Sequence, residues 1–171
     1  SQVERVLQIA SLQKNDIELN KVNIDLKLLI EGVIRSTEVN YSKKDGKVKF
    51  IYSEQSCFVL ADQVHLTNIL YNLLDNSLKY NDHIPKVTIK LSNNGSNFII
   101  SIQDNGIGIE EKYRKQVFDK FYRVPTGNVH NVKGFGLGLY YVKQVVNEHD
   151  WKIGIKSEVG KGTKIEIEIL K

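Results

Sequence analysis

Apolar residues recur at mixed spacings of three and four over residues 3–19, at Val3, Val6, Leu7, Ala10 and Ile17, with polar residues between them. That period predicts a helix with one apolar stripe. The stripe needs a partner helix, because an isolated helix of this length is marginal in water. Asn20 to Ile24 reads as an extended connector. Asp25 is placed to cap a second helix, whose apolar face is Leu26, Leu29, Ile30, Val33 and Ile34. Residues 46–52 and 57–61 alternate or run apolar with β-branched content, which predicts two strands joined by a polar turn. Asp62 opens a long helix over 63–80, and Lys86–Leu91 and Asn97–Gln103 form a hairpin across Asn93-Asn94-Gly95-Ser96. Beyond Asp104 the pattern predicts a helix near 110–119, an irregular stretch near 123–135, a helix from about 136 to 148, and closing strands at 151–156 and 163–169. Helices together with hairpin strands predict an α+β fold: a two-layer α/β sandwich, with a mixed, mostly antiparallel sheet packed against about three helices. The irregular stretch is long for a loop and carries Pro125, Gly127, Asn128 and Asn131, so it reads as a lid.

Composition narrows the chemistry. The 171 residues suit one domain with a short appendage, and 41% hydrophobic with 26% charged residues is ordinary for a globular chain. The single cysteine, Cys57, excludes an internal disulfide and a CxxC metal or redox pair; it reads as a small buried hydrophobe. A formal charge of +4 suits a polyphosphate ligand or no anionic partner at all. The lysines are spread along the sequence, so no nucleic-acid partner is expected. No apolar run approaches the ~20 residues of a membrane span, and no signal peptide opens the chain. There is no methionine, even at position 1, so the chain is expected to be a piece of a longer protein whose membrane anchor, if any, lies outside it.

Four segments carry candidate chemistry. On the helix over 63–80, steps of about 100° place His65, Asn68, Asn72, Asn76, Lys79 and Tyr80 on one stripe beside the apolar Leu66, Ile69, Leu70, Leu73 and Leu74. Amides beside a core face must find partners. A carboxamide oxygen can ligate Mg²⁺ and its NH₂ can donate to phosphate. Asn68 alone reads as a solvated polar residue, whereas Asn72 and Asn76 with Lys79 and Tyr80 read as a site. Next, Asp104-Asn105-Gly106-Ile107-Gly108-Ile109 follows a strand: the carboxylate can accept from an amino group, and the glycines let backbone approach a flat ligand. Alone it could be an Asn-Gly turn. Third, Gly134-Phe135-Gly136-Leu137-Gly138-Leu139 precedes a helix whose first N–H groups could bind phosphate. Its spacing is neither the Rossmann fingerprint nor a P-loop. Fourth, Gly160-Lys161-Gly162-Thr163 joins the last two strands and could be a plain hairpin turn.

The order of these segments resembles the N, G1, G2 and G3 boxes of the Bergerat-fold ATPases, the family of gyrase, Hsp90, MutL and the histidine kinases. Phe118-Asp119-Lys120-Phe121-Tyr122-Arg123 is similar to the F box that marks histidine kinases among them. The resemblance covers about residues 22–171, and residues 1–21 are similar to the end of the dimerisation and phosphoacceptor helix that precedes such a domain. It implies a catalytic domain of a two-component sensor histidine kinase, with an ATP lid, binding ATP and Mg²⁺. The γ-phosphate would pass to a histidine on an upstream dimerisation domain and then to a response regulator. Asn76 would hold Mg²⁺ with Asn72 assisting, Lys79 would contact phosphate, and Tyr80 would pack along the nucleotide. Asp104 would accept from the adenine amino group, and Gly106 and Gly108 would line the adenine pocket. Arg123 would reach the phosphates or the partner helix. Gly134, Gly136, Leu137 and Gly138 would present backbone to the phosphates, with Lys133 adding a charge, and Thr163 would approach adenine by its hydroxyl or a water. Asn72 stands where gyrase-like and Hsp90-like ATPases carry a glutamate that activates water, so hydrolysis by this chain is expected to be slow. The parent is expected to be a homodimer anchored in the bacterial inner membrane, with this domain cytoplasmic and monomeric by itself. His65, His83, His130 and His149 do not suit the acceptor role; His149, at a helix end, reads as a structural cap. A binding-only module and a serine kinase of the anti-sigma type remain as alternative readings.

Overall fold

A computed structural model describes residues 17–53, 57–125 and 135–170. The elements run β1 (Lys21–Asp25), α1 (Leu26–Ser42), β2 (Lys47–Tyr52), β3 (Phe58–Asp62), α2 (Gln63–Lys79), β4 (Lys86–Asn93), β5 (Asn97–Asp104), short 3₁₀ turns at Glu111–Tyr113 and Gln116–Phe118, α3 (Gly138–Glu148), β6 (Lys152–Glu158) and β7 (Gly162–Leu170). Both expected aspartate caps form. The Asp25 carboxylate accepts from Lys27 N at 2.9 Å and Leu28 N at 3.2 Å, which fixes where α1 starts. Asp62 accepts from His65 N at 2.9 Å and, with its other oxygen, from Asn20 N at 2.8 Å. One side chain thereby caps α2 and pins the chain entering β1.

Five strands form a mixed sheet in the order β2-β4-β5-β7-β6, parallel only between β2 and β4. Alternation sends Ile89, Ile102 and Ile165 inward in one row, and Leu91, Ile100 and Ile167 in the next. These rows pack with Ile30 and Val33 of α1, Leu66, Ile69, Leu70 and Leu73 of α2, and Val142, Val145 and Val146 of α3 in one buried core. Each fully buried aliphatic side chain contributes roughly 1.5–3 kcal/mol relative to leaving it in water. The result is the expected two-layer sandwich.

Several expectations are corrected. The strands over 46–52 and 57–61 both form but do not pair with each other: β2 lies parallel to β4, Val48 opposite Val87 and Phe50 opposite Ile89, while β3 pairs antiparallel with β1 in a separate ribbon. Neighbours in sequence are partners in space only part of the time. Here the parallel pairing sets the inward residues of β2 beside those of β4. The connector at 20–24 supplies β3's partner, so it is a strand. The helix near 110–119 is instead a pair of isolated 3₁₀ turns. The helix from about 136 starts at Gly138. Of the first expected helix, residues 17–19 lie outside any helix, and the rest falls outside the described residues, as does most of the lid. Cys57 is buried, as expected.

His149 is built into the core as a neutral ring. It is 3% exposed, stacks on Trp151 at 4.2 Å, contacts the Val145 carbonyl through Nδ1 at 2.8 Å, and meets Asp62 N at Nε2 at 3.0 Å. A carbonyl can only accept and a backbone N–H can only donate, so the proton sits on Nδ1. Burial, the largest influence, lowers the His149 pKa below the ordinary histidine value. A depressed folded-state pKa means the unfolded chain takes up the proton first. His149's contribution is therefore full above the ordinary value and is lost as pH falls from there through the folded value. Urea unfolding at about pH 7.5 and about pH 5.5 should show the lower stability in acid, and His149→Gln should flatten that difference. Equal slopes for the two proteins would remove the locked neutral ring.

Candidate functional site

The amide-bearing stripe of α2 faces the start of α3. Asn72 donates from Nδ2 to the Asn68 carbonyl at 2.8 Å, and its Oδ1 lies so close to Gly138 that a β-carbon there would stand 2.9 Å from it. The first turn of α3 has no side-chain cap, leaving N–H groups open to an anion. Leu137 is the N-cap residue and accepts from Tyr141 N through its carbonyl. Asn76 is half-buried one turn beyond Asn72. Lys79 is ion-paired with Asp75, one turn back on the same helix. Tyr80 ends the helix 38% exposed. His65 and Asn68 are engaged by Tyr141, so Asn68 is partnered rather than the solvated polar residue expected.

Asp104 is the node of the site. Oδ1 accepts from Gly106 N at 2.8 Å and from Thr163 N at 3.0 Å, so it is saturated by backbone. Oδ2 receives only a long contact of 3.4 Å from Ser77, whose hydroxyl is better placed on the Leu73 carbonyl at 3.0 Å. One carboxylate oxygen thus retains accepting capacity. Burial, the largest influence, raises the Asp104 pKa, and the N–H groups of Gly106 and Thr163 partly offset it.

The glycine-bearing turns are pressed against each other at backbone distance. Ile107 N donates to the Tyr80 carbonyl at 3.0 Å, and Gly160 N donates to the Ile107 carbonyl at 2.8 Å. Gly106 sits against the Tyr80 carbonyl. Gly108 has φ +71°, and a β-carbon there would lie 2.0 Å from the Glu158 carbonyl oxygen. Gly162 has φ +100°, and a β-carbon there would lie 2.1 Å from the Asp104 carbonyl oxygen. No other residue type combines this φ with this approach. Gly136 accepts from Phe121 N at 3.1 Å, tying the F-box segment to the start of α3. Arg123 is exposed. Lys133 and Gly134 lie outside the described residues. The contacts bring the site residues together in two groups, Asn72 with Gly138, and Tyr80, Asp104, Gly106, Ile107 and Thr163 with one another. A cavity of about 710 Å³ lined by Lys44, Asn81, His83, Lys86 and Asn105 contains none of these residues and borders Asp104 only through its neighbour Asn105.

Three supporting residues escaped the motif reading. Ser157 is buried; its Oγ accepts from Ile109 N at 2.8 Å, contacts the Gly162 carbonyl at 2.9 Å and meets Thr163 Oγ1 at 2.8 Å. The carbonyl needs a proton, so Ser157 donates there and Thr163 donates to Ser157. The Thr163 oxygen therefore offers only lone pairs outward. Asn105 accepts from Asn81 Nδ2 and Lys86 N, each at 2.8 Å, and donates to the Ile84 carbonyl, fastening the loop after α2. Ser77 is the third. A signal existed for Ser157: it is a polar residue at an inward strand position, in step with Ile153 and Ile155.

The donor set suits magnesium only in part by itself. Among the described residues no group of three or more His, Cys, Asp or Glu is placed to hold a metal ion. Neutral amide oxygens from Asn72 and Asn76 fit an ion that keeps several waters and arrives with phosphates.

Comparison with known proteins agrees with this geometry. The family model described as histidine kinase-, DNA gyrase B-, and HSP90-like ATPase matches residues 61–171. The sensor protein RprX of Bacteroides fragilis is 41% identical over 170 residues, which is 98% of this chain but 33% of that protein. The chain thus spans about a third of the length of this curated relative. Among solved structures, full-length ShkA in complex with AMPPNP is 26% identical with a TM-score of 0.81, covering 96% of this chain and 34% of that one. The catalytic domain of the histidine kinase ThkA, at 24% identity and a TM-score of 0.78 over 91% of this chain and 97% of that one, shares the fold. With Asp104 tied to the turns that carry Gly106 and Thr163, Asn72 set against Gly138, and the family model matching residues 61–171, this chain belongs to the histidine kinase-, DNA gyrase B- and HSP90-like ATPases.

Proposed function

We propose that the chain is the ATP-binding catalytic domain of a sensor histidine kinase. The observation that carries this reading is the Asp104 carboxylate: one oxygen is saturated by backbone, and the other is left as an acceptor within the glycine-walled turns. An adenine amino group is the donor it suits. Thr163, with its proton committed to Ser157, accepts from a bridging water. Asn76 and Asn72 hold Mg²⁺, which when bound neutralises the phosphates and fixes their geometry. Lys79 exchanges Asp75 for phosphate, Tyr80 packs along the nucleotide, and Gly106 and Gly108 give the adenine its walls. The backbone of Gly134, Gly136, Leu137 and Gly138 meets the phosphates, with Lys133 and Arg123 adding positive charge.

The reaction breaks the bond between the γ-phosphorus and the oxygen of the ADP leaving group, and forms a phosphorus–nitrogen bond to an imidazole. The protein's work there is positioning and charge stabilisation. The acceptor histidine lies on an upstream dimerisation domain, of which residues 1–21 are the final helix and connector, while residues 22–171 are catalytic. An aspartate of a response regulator receives the phosphoryl group next. Asn72 cannot act as a general base, which favours transfer over hydrolysis. The parent is a homodimer anchored in the inner membrane with this domain in the cytoplasm. Among the described residues no helix is long and apolar enough to cross a membrane.

A thermal melt tests the reading. ATP with Mg²⁺ at about a hundred times Kd should stabilise the chain by about 2.7 kcal/mol and raise Tm by roughly 5–10 °C. GTP should do far less, and Asn76→Ala, which removes the oxygen ligand, should remove the magnesium-dependent part. A melting point indifferent to adenine nucleotides would overturn the proposal.

A further inference from the structure

The solvent side of the five-stranded sheet gathers what is basic about this chain. Alternation places Lys47 and Lys49 of β2 there, in register with Lys86 and Thr88 of β4, and Lys90 follows along β4. The outward positions of β5 are uncharged, from Asn97 to Gln103. The last two strands add Lys164, Glu166 and Glu168 from β7, and Lys152, Lys156 and Glu158 from β6. Seven lysines face three glutamates, a surplus of four, which equals the formal charge of +4 carried by the whole chain. The rest of the molecule sums to zero. Lysines spread along the sequence are collected on one plane because strand side chains have a period of two.

Two of the pairings work against the fold, although Lys152 stands opposite Glu168. Lys47 stands directly opposite Lys86, and Lys156 directly opposite Lys164. Like charges facing each other across strands destabilise a sheet. Among the seven, only Lys164 has an ion-pair partner within the described residues, Glu166 at 2.8 Å. The outward positions hold no arginine and no aromatic residue. Protein interfaces are rich in those residues and poor in lysine, and their binding energy concentrates on aromatic and arginine anchors. Sheets that bind single-stranded nucleic acid stack bases on aromatic rings. The surplus lies on β2 and β4, whose outward positions hold Lys47, Lys49, Lys86 and Lys90 and no carboxylate, while the three lysines and three glutamates of β6 and β7 balance. What remains is a band of point charges on flexible stems, complementary to a diffuse plane of negative charge.

We propose that this sheet face docks the domain on an anionic phospholipid surface. Each lysine near such a surface contributes about a fivefold gain in partitioning, screened by salt. The test is sedimentation of the chain with vesicles of phosphatidylcholine alone or mixed with phosphatidylglycerol. Binding is expected only to the mixed vesicles and only at low salt. The triple variant Lys49→Gln, Lys90→Gln, Lys156→Gln should partition roughly a hundredfold more weakly. Its melting temperature should be unchanged or higher, which separates lost charge from lost fold. Equal binding to neutral vesicles, or undiminished binding by the variant, overturns the proposal. So does lysine-dependent capture of an acidic protein or an oligonucleotide without any binding to anionic vesicles.

Discussion

Gly162→Ala is expected to destabilise the domain by about 3 kcal/mol or more. Two effects combine at this residue. An L side chain at positive φ costs roughly 1–2 kcal/mol, and here φ is +100°. The new β-carbon would also stand 2.1 Å from the Asp104 carbonyl oxygen, which is backbone and cannot rotate away. Relief requires β7 to move off the end of β5, which would break the Thr163 N bond to Asp104. Gly160→Ala is the matched control. Gly160 has φ +76° but nothing within 4 Å of the added carbon, so only the conformational cost applies. Urea unfolding of both variants separates strain from collision. A cost at Gly162 no greater than at Gly160 would show that the turn and the strand end are not in contact. For a domain of this size the cost at Gly162 should appear as a Tm drop of roughly 6–12 °C.

Asp104→Asn should keep the fold and abolish adenine selectivity. The asparagine oxygen can still take the N–H groups of Gly106 and Thr163, so the stability cost should stay near about 1 kcal/mol. Its NH₂ then occupies the position of Oδ2 and points a donor at the adenine amino group. A site built to hydrogen-bond one partner rejects a mismatched one strongly, so ATP affinity should fall by about a hundredfold or more. Guanine presents an acceptor at that position, so the ratio of GTP to ATP affinity should rise. Asp104→Ala, by contrast, should lose stability as well, because two backbone N–H groups lose their acceptor. Titration calorimetry with both nucleotides decides the matter. Unchanged preference in the asparagine variant would take Asp104 out of base recognition.

The sequence carried the local structure well. Asp25 and Asp62 announced their helices because a cap is read within a few residues. The Asn93–Ser96 hairpin was legible because its turn chemistry and its flanking alternation agree. Pairing between distant strands was not legible: nothing in Lys47–Tyr52 says that its partner is β4, in parallel, rather than the next strand. The 110–119 segment misled because its apolar spacing fits a helix, while only the 3₁₀ turns form. In the site, the glycine motifs and Asp104 were visible as residue types in order. Ser77, Ser157 and Asn105 were not, because a supporting hydroxyl or amide has no motif of its own. The direction of the proton on Thr163 needed the positions of both its neighbours.

The turn after β5 is held on both sides by main-chain bonds, from Ile107 to Tyr80 and from Gly160 to Ile107. Amide-to-carbonyl stitching of this kind does not depend on which side chains the stitched residues bear. Ile107 is therefore free to drift to other residues without altering the walls of the cleft. The close-packed glycines beside it have no such licence, and a neighbouring change cannot rescue one. Mutational tolerance along this stretch should rise and fall from one residue to the next, rather than falling smoothly toward the ligand.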